Sequence, residues 1–598
     1  MPDKEIRVWA PRAKRVDIDV SPVGGVVTTS PMDPAPGGWW VWRAGQDPAY
    51  PLDYAFRVDG SAPRPDPRSP WQPRGVHGSS RTFDTALRVW GDVQWRGPRR
   101  GRGALGGVFY ELHIGTFTPE GTFDAAITRL DHLIALGVDV VEVMPVAAFP
   151  GRWGWGYDGV DLYAVHDPYG GPASLQRFVD ACHNRGLGVC LDVVYNHLGP
   201  SGNYLSEFGP YFTEAHHTPW GAAVNLDDTG SDVVRRFIVD NALRWFRDFH
   251  VDALRLDAVH ELRDDSRRHL LAQLADETDA LAKRLGRPLT LIAESDLNDP
   301  TMVTPTEEGG MGMSAQWADD VHHALHAALT GESESYYADF AKRGVIAKTM
   351  SEVFLHDGRW SSFRGTDWGA PVDPEVHPGR QFVGYLQTHD QVGNRALGDR
   401  ISESITAGQQ AIGSALYLLS AFTPMIFMGE EWAASTPWQF FTDFEEPELA
   451  EAVREGRRKE FSGHGWDGVD VPDPQDAATR DRSVLAWAEL GDADHARMLE
   501  WYAALIVERR RDPELTDDRL DRVEVVSDPD GEWITVSRGR IRLVCNGSEH
   551  PLEVPVPGVD EGSDGTAEIV LAWDPSTTRQ TPGGVELGGH GVAVLRVP

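Results

Sequence analysis

The chain has 598 residues, too many for a single hydrophobic core, so a length of roughly 150 residues per domain predicts several domains. Its 91 Asp plus Glu outnumber 56 Lys plus Arg for a formal charge of −35, which excludes the basic face that nucleic acid or an anionic membrane surface requires. A neutral substrate is left open by the same figures.

Residues 1–92 read as a small β-sandwich. Ile6–Ala10 and Val16–Val20 alternate apolar and polar side chains, and Trp39–Trp42 and Asp53–Val58 follow Pro/Gly turns at strand spacing. Trp39, Trp40 and Trp42 offer flat faces for a glycan, but in so small a unit core or interface is the expectation. A basic, Gly-rich run, Arg96–Gly103, marks a linker over 93–105.

From about residue 106 to 513 short apolar strands alternate with amphipathic helices, the pattern of βα units. Strands are expected at Val108–Ile114, Val138–Met144, Val189–Val194, Ala253–Asp257, Leu289–Ala293, Ser314–Trp317, Phe382–Gln387 and Met425–Met428. Eight units fit a closed (β/α)8 barrel of the TIM type. The spacing of Ile127, Leu130 and Ile134 predicts one helix from Phe123 to Leu136, ended by Gly137. A helix through Trp501–Val507 closes the barrel, and Trp533–Val536, Ile541–Val544, Glu568–Leu571 and Val592–Val597 predict an antiparallel β-domain over 514–598.

Cys182, Cys190 and Cys545 lack metal-ligand spacing and predict buried free thiols in a reducing compartment. Met1–Arg7 has no apolar signal-peptide core, and nothing approaches the about 18 apolar residues of a membrane span, so the expected location is the cytoplasm. His322, His323 and His326 would interest a metal, but no acid ligand is closely spaced with them; a helix after the sixth strand is expected, with no metal and no cofactor.

Ala253-Leu-Arg-Leu-Asp-Ala-Val-His260 carries two charges inside a strand that should be buried on both faces. Buried charges are paired, so Arg255 is expected to hold Asp257 ionised at the C-terminal end of its strand, where barrel sites form. Alone, the stretch would equally be a structural ion pair. Three more apolar runs end the same way: Asp192–His197, Leu291–Glu294 and Leu386–Asp390.

In order and spacing these four stretches resemble the signatures of the α-amylase superfamily of glycoside hydrolases. The resemblance implies Asp257 as nucleophile, Glu294 as general acid/base and Asp390 as a third carboxylate that binds sugar hydroxyls. It also implies Arg255 as the cation beside the nucleophile, His197 and His389 as imidazoles bonding the sugar before the scissile bond, and Tyr157 as the platform beneath it. Asp192 is expected to support the barrel top. A retaining mechanism would place the Asp257 and Glu294 carboxyls about 5–5.5 Å apart.

Longer stretches are more specific. Tyr110–Phe123, Trp155–Gly159, Gly199–Tyr204, Thr218–Ala222, Glu294–Pro300, Asp390–Arg395 and Phe427–Glu431 resemble the maltooligosyltrehalose trehalohydrolases within that superfamily. This implies hydrolysis of the α-1,4 bond next to a terminal trehalose, with maltooligosyltrehalose or an α-glucan as substrate, and Trp220, Asp296 and Asn298 lining the leaving-group side. Thr388 departs from the Asn usual before His-Asp; it keeps a hydroxyl and loses the amide. A glycogen branching enzyme is the nearest alternative, and a non-catalytic carbohydrate-binding scaffold a remote one, disfavoured because all three carboxylates are present.

Overall fold

The computed structural model describes residues 5–43, 50–462, 471–528, 531–559 and 567–598. Among these, eight short parallel strands close a barrel: Phe109–Leu112 (β1), Val140–Val143 (β2), Gly188–Val193 (β3), Ala253–Leu256 (β4), Thr290–Ala293 (β5), Ala315–Trp317 (β6), Phe382–Tyr385 (β7) and Thr423–Phe427 (β8). β8 pairs with β1, which completes the ring. Each expected strand is present; six are shorter than their apolar runs, while β3 is shifted by one residue and β8 starts two residues earlier.

Alternation along the strands sorts the interior. Phe109, Val140, Cys190, Ala253, Ile292, Ala315, Val383 and Met425 fill the lower layers with apolar atoms. Two residues further along β1 to β4 come Glu111, Glu142, Asp192 and Arg255, all buried. The period-two geometry of a strand therefore sends charge only to the C-terminal end of the barrel.

Before the barrel lie two antiparallel sheets. One joins Glu5–Trp9, Trp39–Arg43 and Asp33–Ala35; the other joins Thr28–Pro31, Val16–Pro22, Leu52–Val58 and Ser80–Arg81. Trp39, Trp40 and Trp42 are half-buried against the core, and the Trp40 indole donates to the Ala10 carbonyl at 3.1 Å. After the barrel, a five-stranded sheet orders Val523–Ser527, Trp533–Arg538, Ile541–Asn546, Val592–Arg596 and Glu568–Ala572, with a three-stranded sheet beside it. Cys182, Cys190 and Cys545 are buried and unpaired. No helix among the described residues is long and apolar enough to cross a membrane.

The expected single helix after β1 is two, Phe123–Ile127 and Leu130–Leu136. The Thr128 hydroxyl bonds back to the Ala125 carbonyl at 2.7 Å and its N–H closes the first helix, a local alternative to the helical ladder. The break turns the buried face to Phe123, Ala126, Leu130 and Leu133 and leaves Ile134 exposed. Gly137 ends the second helix at φ 100°, as its position required.

The expected linker is strapped to the N-terminal face of the barrel. Asp92 Oδ2 bonds both His183 Nδ1 and His250 Nδ1 at 2.8 Å, and Asp252 Oδ2 bonds His183 Nε2 at 3.0 Å. Trp95 stacks on His183 at 4.3 Å and donates its indole N–H to Asp252. Burial opposes charge on His183, but Asp252 and Asp92 outweigh it and raise the ring above the ordinary histidine range. A raised folded value means that this stabilisation is complete below about pH 6.5 and fades as pH rises through the raised value. A His183→Leu variant is therefore expected to lose about 3–5 kcal/mol at pH 6, with the deficit narrowing at higher pH; denaturant unfolding across pH checks this, and a constant deficit contradicts it.

Candidate active site

Inter-strand hydrogen bonds run one step beyond the apolar strands and so aim the carboxylates. The Asp257 N–H donates to Val193 O and the Glu294 N–H to Leu256 O, both at 3.0 Å. Asp257 and Glu294 thereby stand at the C-terminal ends of β4 and β5. Asp390 lies in the first turn of helix His389–Gly393, just past β7.

Arg255 binds these ends together from below. Its guanidinium is fully buried; Nη1 donates to Asp192 Oδ2 at 2.8 Å and to Asp257 Oδ1 at 2.9 Å, and Nη2 lies 3.6 Å from Glu294 Oε2. The Trp317 ring lies 4.3 Å from it, a cation–π contact in a dry setting. Asn196 Nδ2 donates to the other Asp257 oxygen at 2.8 Å. Ala258, with φ 37°, is held in the left-handed region and donates its N–H to Glu294 Oε2 at 2.5 Å, a strained conformation of the type that collects at functional sites.

The two acids differ in surroundings. Asp257 receives a guanidinium and an amide. Glu294 is raised by burial first, with Arg255 opposing and Asp257, Asp390 and Asp319 adding like charge, so that its carboxyl is pushed up to about 8. At neutral pH it keeps its proton, as an acid that must protonate a leaving oxygen requires. Asp319, not singled out in the sequence, accepts a hydrogen bond from Tyr385 and is pushed up to about 6, mainly by burial.

The imidazoles and Tyr157 line the same floor. The Tyr157 hydroxyl donates to Asp192 Oδ2 and meets His389 Nε2, each at 2.7 Å, and its ring stacks on His389 at 5.2 Å. His197 bonds Asn196 Oδ1 and, through Nε2, the Tyr157 carbonyl at 3.1 Å. Asp192 thus supports the barrel top, as expected, while also joining Arg255 to Tyr157; burial pushes its carboxyl up to about 6. Thr388 caps the helix that bears His389 and Asp390: its hydroxyl accepts the Asp390 N–H at 3.2 Å and bonds Gln391. The hydroxyl suffices for a cap, so loss of the usual amide leaves the helix start intact.

The expected leaving-group residues divide. Trp220, on the hairpin Phe212–Thr218/Gly221–Val224, is 52% exposed and stacks on His197 at 4.2 Å. Asp296 accepts from Arg364 at 2.8 Å, and its carbonyl accepts from the Trp368 indole at 2.8 Å. Asn298 is buried, with φ 52°, and its amide nitrogen donates to Asp320 at 3.0 Å and to the His356 carbonyl at 3.3 Å. Trp220 therefore sits by His197, while Asp296 and Asn298 sit by the 359–368 hairpin.

His322 and His326 lie on helix Asp319–Thr330, bonded to the Leu386 carbonyl at 2.8 Å and to Glu332 at 3.0 Å. His216, Asp227 and Asp265 bring ligand atoms within 4.8 Å of one another. Asp227 Oδ2 there already accepts His216 Nε2 at 2.9 Å and the Asp265 N–H at 2.8 Å. The sequence carries no signal for this group, since its members come from a hairpin and a separate loop.

Known proteins bear on this geometry. The family model for the α-amylase catalytic domain matches residues 85–218. The malto-oligosyltrehalose trehalohydrolase of Arthrobacter ramosus is 51% identical over 599 residues, covering 100% of both chains. The chain belongs to the malto-oligosyltrehalose trehalohydrolase family. Its Mycobacterium tuberculosis (strain CDC 1551 / Oshkosh) relative of that name is 48% identical, covering 99% of each chain. A solved candidate alpha amylase from Salmonella typhimurium superposes with a TM-score of 0.87 at 36% identity, covering 99% of this chain and 97% of its own. The 1,4-alpha-glucan branching enzyme of Salinibacter ruber is 28% identical over 63% of this chain and 69% of its own.

Within a trehalohydrolase-family barrel the approach to Tyr157 is tightly set. Gly156 has φ 104°, and a Cβ there would stand 2.2 Å from the Pro145 carbonyl oxygen. Gly156→Ala is expected to displace Tyr157 and lower kcat by about 10², seen in steady-state kinetics on the folded variant. Wild-type kcat/KM should fall as pH rises through about 8, where Glu294 loses its proton; an activity flat to pH 9.5 would contradict that assignment.

Proposed function

We propose that this protein hydrolyses the α-1,4-glucosidic bond next to the terminal trehalose unit of maltooligosyltrehalose, releasing trehalose and a malto-oligosaccharide with retention at the anomeric carbon. The observation that carries the reading is one buried guanidinium touching Asp257 and approaching Glu294, in a chain half identical over its full length to a trehalohydrolase. Asp257 attacks the anomeric carbon while Glu294 gives its proton to the leaving oxygen; Glu294 then takes a proton from water, which opens the glycosyl-enzyme bond. Asp390, 39% exposed at the mouth, is assigned to the sugar hydroxyls and to the positive charge that develops in the transition state. Arg255, His197, His389 and Tyr157 are assigned to the floor beneath the reacting ring, and Trp220, Asp296 and Asn298 to the leaving side.

The branching-enzyme alternative gains nothing from a distant relative at 28% identity. We read the domain limits as 1–92, 106–513 and 514–598 around a linker at 93–105, and buried free thiols favour the cytoplasm.

Product analysis tests the function. Maltooligosyltrehalose should yield free trehalose, and amylose should keep its iodine stain; a changed stain without trehalose would favour branching. Glu294→Gln should reduce trehalose release by about 10²–10⁴-fold. Trp220→Ala should lower the kcat/KM preference for the trehalose-capped substrate over maltodextrin by roughly tenfold; an unchanged ratio removes Trp220 from the leaving side.

A further inference from the structure

Glu111, on β1, lies outside the stretches that carry Asp192, Asp257, Glu294 and Asp390, yet both of its oxygens are engaged beneath the site. It points inward from β1 and is 1% exposed. Oε1 meets His389 Nδ1 at 2.6 Å and Oε2 accepts the His389 backbone N–H at 2.9 Å. One carboxylate thus grips a single residue through its ring and its main chain, which fixes both the helix start and the ring plane.

Counting protons gives the chain a direction. The Tyr157 hydroxyl has one hydrogen and donates it to Asp192 Oδ2, an oxygen that also accepts from Arg255 Nη1. Toward His389 Nε2 the hydroxyl oxygen can then only accept. His389 Nε2 must carry a proton, and Nδ1 must carry another to bond the Glu111 carboxylate.

We propose that Glu111 is a positioning residue for glycoside cleavage: it stabilises doubly protonated His389, so that Nε2–H donates to Tyr157, Tyr157 donates to Asp192, and Asp192 and Asp257 share Arg255. This inference rests on the reading of Asp257, Glu294 and Asp390 as the carboxylates of a glycosidase site. The groups facing His389 are Glu111 from β1, Asp390 beside it with Oδ1 3.5 Å from Nε2, Tyr157, Asp192 and Arg255, and His113 across the floor. Burial opposes charge on His389, but Asp390 and Glu111 outweigh it and push the ring up to about 9. Without the Glu111 charge the ring would give up its second proton at lower pH. Nε2 would then take the Tyr157 hydrogen, and Asp192 would lose a donor.

The experiment is the pH dependence of trehalose release by Glu111→Gln and Glu111→Asp, with 15N spectra of histidine-labelled wild type in which His389 is assigned by its loss in His389→Gln. We expect Glu111→Gln to lower kcat about tenfold to a hundredfold with KM little changed, and to bring loss of the second His389 proton below the Glu294 limb near pH 8, so that activity falls off about one pH unit earlier. Glu111→Asp should restore the limb in part. Wild-type His389 should show protons on both ring nitrogens at pH 7. A neutral ring in the wild type, or a Glu111→Gln limb that coincides with the wild type, overturns the proposal; the spectra decide it even if Glu111→Gln does not fold. A wild type that cleaves no α-glucan would instead refute the glycosidase reading and leave the spectra to judge Glu111.

Discussion

The buried charge of Arg255 is the constraint on which the rest of this site depends. A guanidinium with no exposure is tolerated only where anions surround it, and here Asp192 and Asp257 touch it while Glu294 stands slightly further off. Removing it would leave buried carboxylates facing one another, so the same group that orders the floor of the candidate site also makes that floor compatible with folding. Trp317 beneath it supplies an aromatic face in place of a fourth anion.

From that cation Asp257 and Glu294 acquire different characters. Asp257 has a direct bond to Arg255 and a second donor in Asn196. Glu294 has a longer approach to Arg255 and three acidic neighbours, so burial dominates and its proton stays on at neutral pH. Two carboxylates on adjacent strands thus take opposite protonation states through a difference in donors, the arrangement acid-assisted displacement at a sugar carbon needs. Both residues are anchored to neighbouring strand ends by main-chain bonds.

The strap at 90–95 acts on a different face. His183 and Asp252 tie the strap to the bottom of the barrel, away from the charged upper layers. The strap thus braces the N-terminal rim, and the candidate site lies at the C-terminal rim, where Ala258 is held in the left-handed region.

The amino-acid sequence by itself determined the eight strands, the sheets before and after them, and the charged residues at the strand ends, because strand alternation and turn residues are local properties that spacing reveals. It also located Thr388 as a departure, while its capping of the His389 helix came only with the structure. It missed the break at Thr128, where a side-chain bond competes with the helix over a few residues. Only the tertiary structure decided that Glu111 grips His389, which lies 278 residues away, that Asp319 presses on Glu294, that Trp220 lies on His197, and that the Asn298 amide turns inward to Asp320. Those pairings depend on how a closed barrel brings distant strands side by side, and no periodicity along the chain encodes which buried acid will face which base.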